Sequence, residues 1–342
     1  MMNSYASIPG NTELNHLQRR KMELQLYMPP LTMEKEKSEA FWQPRLKQAW
    51  SKPLRETRKR VDEELFPYAD VYRITYEGYD ETPVSGLYMV PAQAAREGRQ
   101  VPCIVIYPGY TAGAGYPEDH AGWLLAGYAV LAVDARGQGG ETGSLLPSLH
   151  GMAKGWMTQN LLEGPDRTYY MALFVDSLKA LQAAASQPEV DARRLVPCGG
   201  SQGGGLALAV AALCGLEAPA GIDLAAVLAD IPNLCHVDQA IFSSAGSLSE
   251  AGQLASRKPE ELSRLLEHLA CFDNMNLACR ISAPVLASVG WKDPICPPET
   301  VYAAYNRIHA PKEIRDYPFL GHEVNGAHRR DKLQFVLEHA GR

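Results

Sequence analysis

The chain has 342 residues, 46% of them apolar and 21% charged, with a net charge of −6. That is enough apolar material for a sizeable core, and a mildly acidic chain without a long run of like charge argues against nucleic acid or an anionic membrane as partner. No stretch of about 18 apolar residues occurs, and the first residues lack the apolar centre of a signal peptide, so a cytoplasmic protein is expected.

Residues 1–30 read as a polar N-terminal extension, of which the first twenty or so are set aside from the fold, and a single α/β unit is expected over 31–342. From about residue 34 to 64 the chain is charged and helix-favouring, and Trp42, Leu46 and Trp50 recur at i, i+4 and i+8, which predicts a helix docked by its aromatic stripe. DVYRITYEGY and PVSGLYMVPA, joined by GYDET, suit an antiparallel pair. VPCIVIYP, YAVLAVDARG, RRLVPCGGS, LAAVLADIP, APVLASVGWKD and KEIRDYPF follow as short apolar runs, the pattern of strands buried on both faces of a mostly parallel sheet. Helical intervals separate them, among them RTYYMALFVDSLKALQAAAS, QGGGLALAVAALCG, PPETVYAAYNRIH and HRRDKLQFVLEHA. Between LAAVLADIP, sixth in this count, and APVLASVG lie about fifty residues, more than a crossover needs; an insertion over about 231–280 with a lid or assembly role is expected. Seven scattered cysteines (103, 198, 214, 235, 271, 279 and 296), mostly in apolar runs and without metal-ligand spacing, are expected to be buried reduced thiols.

The stretch CGGSQGGG at 198–205 joins an apolar strand to an apolar helix, which excludes a linker, and it fits neither GxxxxGK[ST] nor GxGxxG, which argues against a phosphate cradle. Gly199-Gly200-Ser201-Gln202-Gly203 does fit G-x-S-x-G at a strand-to-helix junction, the context of a nucleophile elbow. There the serine sits on a strained bend, and glycines two residues either side keep neighbouring backbone clear. A serine nucleophile needs a base, itself oriented by a carboxylate, in the chain order serine, acid, histidine. Asp293, after PVLASVG, and His322, after EIRDYPF, meet that order. Asp230 also ends a strand and is the rival acid, but Ile231-Pro232 and the insertion follow at once. His328 and His339 fall in the last helix and are expected to face solvent or cap it. The other histidines lack a strand-end context.

An oxyanion needs two donors. One is expected from the backbone N–H of Gln202, and the other from Tyr110 in the loop Pro108-Gly109-Tyr110-Thr111-Ala112-Gly113. Arg136 and Gln138 lie in ARGQGG after another strand, where the arginine is expected to brace neighbouring loops. A histidine base predicts a rate that rises with pH through the neutral range. No metal or organic cofactor is expected.

RGQGG, GGSQGGG, KDPICPPETVYAAYN and GHE, together with EAFW, RTYY, DIPNLCH and PKEIRDYP, resemble the cephalosporin C deacetylase and acetyl xylan esterase group, carbohydrate esterase family seven. The resemblance runs from about residue 30 to the C-terminus. It implies an α/β-hydrolase fold with a mostly parallel sheet and a serine esterase that deacetylates short acetylated sugars and cephalosporin C. It further implies Ser201, Asp293 and His322 as the triad, Tyr110 and Gln202 as oxyanion donors, and a homohexamer that the insertion helps to form. This chain departs in having Pro108 where the group usually has histidine; proline removes a polar group and a backbone donor there but leaves the Tyr110 N–H. Two alternatives stay open, a broader short-chain carboxylesterase of the same fold and a catalytically silent one used for binding or assembly.

Overall fold

A computed structural model describes residues 14–61, 65–151 and 155–341. Part of the segment set aside in the sequence is folded. Helix α1 (His16–Gln25) is capped by Asn15 and buries Leu24, and Lys21 pairs with Asp316 of the sheet's last strand. Helix α2 (Lys35–Ser51) carries the aromatic stripe. Trp42 and Leu46 are fully buried, Trp42 stacks on Phe174, and the indole N–H groups of Trp42 and Trp50 donate to the carbonyls of Cys271 and Glu217.

That helix is shorter than expected. Pro53 forces Lys52 into an extended conformation, ending the helix, and the charged run TRKRV becomes an edge strand, β1 (Thr57–Val61), paired antiparallel with β2 (Ala69–Glu77). Residues 62–64, the end of the expected helix, lie outside the described residues. Strand β2 pairs in turn with β3 (Pro83–Pro91), as the sequence suggested. After α3 (Ala92–Glu97) the chain runs through β4 (Val101–Tyr107), α4 (Ala121–Leu125), β5 (Ala129–Val133), α5 (Tyr169–Ala185), β6 (Val190–Gly200), α6 (Gln202–Leu216) and β7 (Val227–Asp230).

Between β7 and the next strand stand α7 (Val237–Ser243), α8 (Ser249–Arg257), α9 (Leu262–Ala270) and α10 (Asn274–Leu277). Then follow β8 (Val285–Gly290), α11 (Pro298–Tyr305), β9 (Lys312–Tyr317) and α12 (Gly326–Ala340). The sheet has nine strands in the order β1-β2-β3-β5-β4-β6-β7-β8-β9, antiparallel as far as β5 and parallel from β5 to β9.

Alternation along the strands builds two cores. On β4, Val101, Cys103, Val105 and Tyr107 face the cluster filled by α2, α5 and α6, while Ile104 faces the cluster closed by Phe335 and Val336 of α12. A third, smaller cluster joins Leu24 of α1 to Val289 of β8 and Val301 and Tyr302 of α11. Both faces of the central strands are covered, which leaves the edge at the carboxyl ends of the parallel strands as the place for a site. The loops after β4, β6, β8 and β9 all leave from that edge.

Candidate active site

The turn after β6 is as strained as its sequence demands. Ser201 has φ 57° and ψ −120°, a conformation few side-chain-bearing residues adopt. Its neighbours hold it there. The Ser201 N–H donates to the Asp230 carbonyl at 2.9 Å, and the Asn233 N–H donates to the Ser201 carbonyl at 2.9 Å. A Cβ on Gly199 would run into the Gly203 backbone, and one on Gly203 would run into the Tyr107 carbonyl, so α6 can start against β4 and β6 only with glycine at both positions.

The loop after β8 presents Asp293 and the loop after β9 presents His322. The Asp293 side chain is fully buried, and one of its oxygens accepts N–H bonds from Ile295 (2.8 Å) and Cys296 (2.9 Å). Its other oxygen stands 2.8 Å from Nδ1 of His322, whose side chain is 26% exposed. With the Nδ1 proton donated to the carboxylate, Nε2 is left as the acceptor, the tautomer a general base needs. Among the described residues no hydrogen bond joins the Ser201 hydroxyl to His322, and the Cys296 thiol stands beside the Asp293–His322 pair. That thiol lies within 4.8 Å of the facing atoms of Asp293 and His322. Hydrogen bonds of this kind tighten when substrate is bound.

Cys296 was passed over in the sequence because its role depends on the fold, although its spacing of three residues from Asp293 was visible. Burial, with the Asp293 charge beside it, pushes its thiol well above the usual range, so it stays protonated and is not a competing nucleophile. Asp293, Cys296 and His322 offer a donor set that zinc accepts. The Asp293 carboxylate, however, already accepts three hydrogen bonds, so its oxygens are committed within the protein.

The two residues expected as oxyanion donors flank the serine's turn in the fold, Gln202 directly after Ser201 and Tyr110 in the loop after β4. Gln202 opens α6, where a backbone N–H has no carbonyl one turn back, and the Tyr110 N–H has no hydrogen-bond partner among the described residues. Gln138 joins the two loops. Its Oε1 accepts the Thr111 N–H at 2.7 Å, its amide pairs with that of Gln202 at 3.2 and 3.3 Å, and its Nε2 donates to the Tyr169 hydroxyl at 2.8 Å. The sequence offered only its place between glycines. Arg136 is the expected brace: fully buried, it bonds both oxygens of Asp176 at 2.5 and 2.8 Å and both of Asp80 at 3.1 and 3.2 Å.

The rival acid is committed elsewhere. Asp230 is buried with one oxygen 2.6 Å from His328 Nε2 and the other accepting from Lys332 at 2.5 Å. Burial raises its carboxyl, but Lys332 and His328 outweigh that and hold it below the usual carboxylate range. This corrects the expectation for His328, which is fully buried and neither faces solvent nor caps the helix; α12 is capped by Asn325, and its first turn is pulled onto β7 by the Asp230 carboxylate.

A strained serine at a strand-to-helix turn, on a largely parallel sheet and followed in order by an acid and a histidine, defines an α/β-hydrolase. The α/β-hydrolase GrgF from Penicillium sp. sh18 superposes on 84% of the chain, and all of its own, with a TM-score of 0.53 at 16% identity, which speaks for the fold alone. The family is specified by nearer relatives. The chain belongs to the acetyl xylan esterase (AXE1) family, carboxylic ester hydrolases, whose profile matches residues 17–339. It is similar to an acetyl xylan esterase from Paenibacillus sp. R4, with 35% identity, a TM-score of 0.86, and coverage of 93% of this chain and 99% of that one. It is also similar to acetyl xylan esterase 1 from Thermoanaerobacterium sp. JW/SL YS485, with 27% identity, a TM-score of 0.84, and coverage of 93% and 98%. Acetyl esterase Axe7A of Xylanibacter ruminicola is 26% identical over 307 residues, 86% of this chain; the chain spans 65% of that relative's length.

Proposed function

We propose that this chain removes acetyl groups from short acetylated xylo-oligosaccharides and other small acetyl esters, cephalosporin C among them, through an acetyl-Ser201 intermediate. The observation that carries the proposal is the placement of Ser201, at φ 57°, on the same sheet edge as a buried Asp293 that engages His322 through Nδ1. His322 Nε2 takes the Ser201 proton as the hydroxyl oxygen bonds to the acetyl carbon. The negative charge that develops on the carbonyl oxygen is met by the N–H groups of Tyr110 and Gln202, and Asp293 stabilises the imidazolium. Collapse breaks the bond to the sugar oxygen, which leaves with the proton from His322. Water, deprotonated by the same imidazole, then attacks the acetyl-serine and releases acetate and Ser201.

Support for an acetyl substrate comes from the relatives, two of which are acetyl xylan esterases and one an acetyl esterase. Among the described residues no helix is long and apolar enough to cross a membrane. A hexameric assembly with the cytoplasm as its compartment belongs to the same proposal, and light scattering on the purified protein tests the hexamer. The activity is tested by acetate release from acetylated xylo-oligosaccharides, with Ser201→Ala expected to lower turnover by about a millionfold. Cleavage of activated acetyl esters but not of oligosaccharides would retain the serine and remove the sugar. A series of longer acyl chains distinguishes a closed acetyl pocket from a broader carboxylesterase, and an inactive wild type would favour the catalytically silent alternative.

A further inference from the structure

The oxyanion loop is tied to the segment between β7 and β8 by one carboxylate. Glu250, in the first turn of α8, is 5% exposed. The Tyr110 hydroxyl donates to its two oxygens at 3.0 and 2.9 Å, and the Met157 N–H donates to one of them at 3.3 Å. The same hydroxyl accepts the Trp156 N–H at 3.0 Å, and the Tyr110 ring meets the Trp156 indole edge to face at 5.5 Å. The fit is close: a Cβ on Gly155 would run into the Glu250 carboxylate.

An oxyanion donor works by being aimed before the charge appears, and displacement by a fraction of an ångström degrades it. The backbone of Tyr110 has two anchors. On one side the next N–H, of Thr111, is held by Gln138. On the other, Tyr110's own phenol is held by Glu250. We propose that Glu250 is a positioning residue for the ester-cleaving site, aiming the Tyr110 N–H through the phenol and thereby coupling the β7–β8 segment to turnover. This rests on the reading of Ser201 as nucleophile and the Tyr110 N–H as oxyanion donor.

The test is steady-state hydrolysis of p-nitrophenyl acetate by Tyr110→Phe, Glu250→Ala, Glu250→Gln and the double variant Tyr110→Phe/Glu250→Ala, with Tm measured on each. Loss of an oxyanion donor costs on the order of a hundredfold or more, so loosening one is expected to lower kcat about tenfold in Tyr110→Phe and Glu250→Ala, with KM within about twofold. The double variant is expected to lose far less than the product of the single losses, since both remove the Tyr110–Glu250 bond and each removes only one further contact, with the Trp156 or Met157 N–H; Glu250→Gln, which keeps an acceptor, is expected to regain most of the rate. Affinity for an alkylboronic acid, which forms a tetrahedral adduct on the serine, should fall with kcat.

A lowered Tm with kcat and boronate affinity unchanged would overturn the proposal, as would losses that multiply in the double variant. Tyr110→Phe reads the same contact if Glu250→Ala does not fold. Undiminished cleavage by Ser201→Ala would refute the underlying site; an inactive Ser201→Ala beside Glu250 variants at wild-type kcat would refute only the role of Glu250.

Discussion

Two aspartate–histidine pairs stand at the same edge of the sheet with opposite surroundings. In Asp293–His322 the carboxylate meets Nδ1, its other oxygen is satisfied by backbone N–H groups alone, and a quarter of the imidazole is open to solvent. In Asp230–His328 the carboxylate meets Nε2, the ring is fully buried, and Lys332 supplies a positive charge to the second oxygen. Under the proposed mechanism, then, the contact between the two residue types is not what makes a base. What matters is which ring nitrogen is left over, whether it opens on a cleft, and whether the carboxylate's charge remains for the imidazolium rather than being neutralised by an ammonium.

The largest effect that can test this contrast is on turnover. His322→Ala is expected to lower kcat by about a millionfold, as loss of a triad base does, while His328→Ala leaves the folded protein near wild-type turnover. Both are read by p-nitrophenyl acetate hydrolysis with circular dichroism as the check on folding, and equal losses would remove the distinction. Next comes Asp293→Asn, which keeps the shape but favours the wrong tautomer, with an expected loss of about ten-thousandfold in kcat and little change in Tm.

Asp230→Ala is expected to show the reverse pattern. It leaves Lys332 and a buried imidazole without their carboxylate, and removing one partner of such a cluster costs about 3–5 kcal/mol, to be measured by urea unfolding. The smallest effect is on pH dependence. Because Lys332 and His328 hold the Asp230 carboxyl below its unfolded value, the unfolded chain binds more protons in that window. The stabilisation is present above the ordinary carboxylate range and lost as pH falls through it towards the folded value. Tm should therefore drop in acid, and more shallowly for Asp230→Asn than for the wild type; parallel curves would show that the pair does not carry the acid response.

How much of this was legible in the sequence follows from which interactions are local. Strands β4, β5, β7 and β8 announced themselves because both faces are buried and almost every residue in them is apolar, whereas the first half of β6 and the edge strand β9 (KEIRDY) carry charged residues and were placed by their position in the strand–helix alternation. The strained turn at Ser201 was legible because steric need at a sharp turn writes glycine at fixed offsets, and the pairing of Asp293 with His322 was anticipated from chain order. Strand β1 was read as helix because an edge strand with one neighbour is kept charged, as TRKRV is, and so carries a helix-like composition. His328 was misread for a related reason: a polar residue on a polar helix looks exposed until a carboxylate 98 positions earlier is brought to it. Gln138 and Glu250 act across loops distant in the chain, and no spacing rule reports that. The N-terminal helix was set aside because it docks mainly through Leu24 and a few ion pairs, too little apolar surface to show as a periodic stripe.

The turn at Ser201 also bears on how activity is gained and lost over time. Its backbone is held by the carbonyl of Asp230 at the end of β7, by the N–H of Asn233 beyond it, and by the close approach of Gly203 to β4. These contacts join residues far apart in sequence, so the reactive conformation of the serine cannot precede the pairing of β4, β6 and β7. If Ser201 is the nucleophile as proposed, turnover is a clock for the centre of the sheet. In a denaturant titration it should vanish together with the strand signal rather than ahead of it, and on refolding it should return only when those three strands have closed, however early α5 or α12 forms.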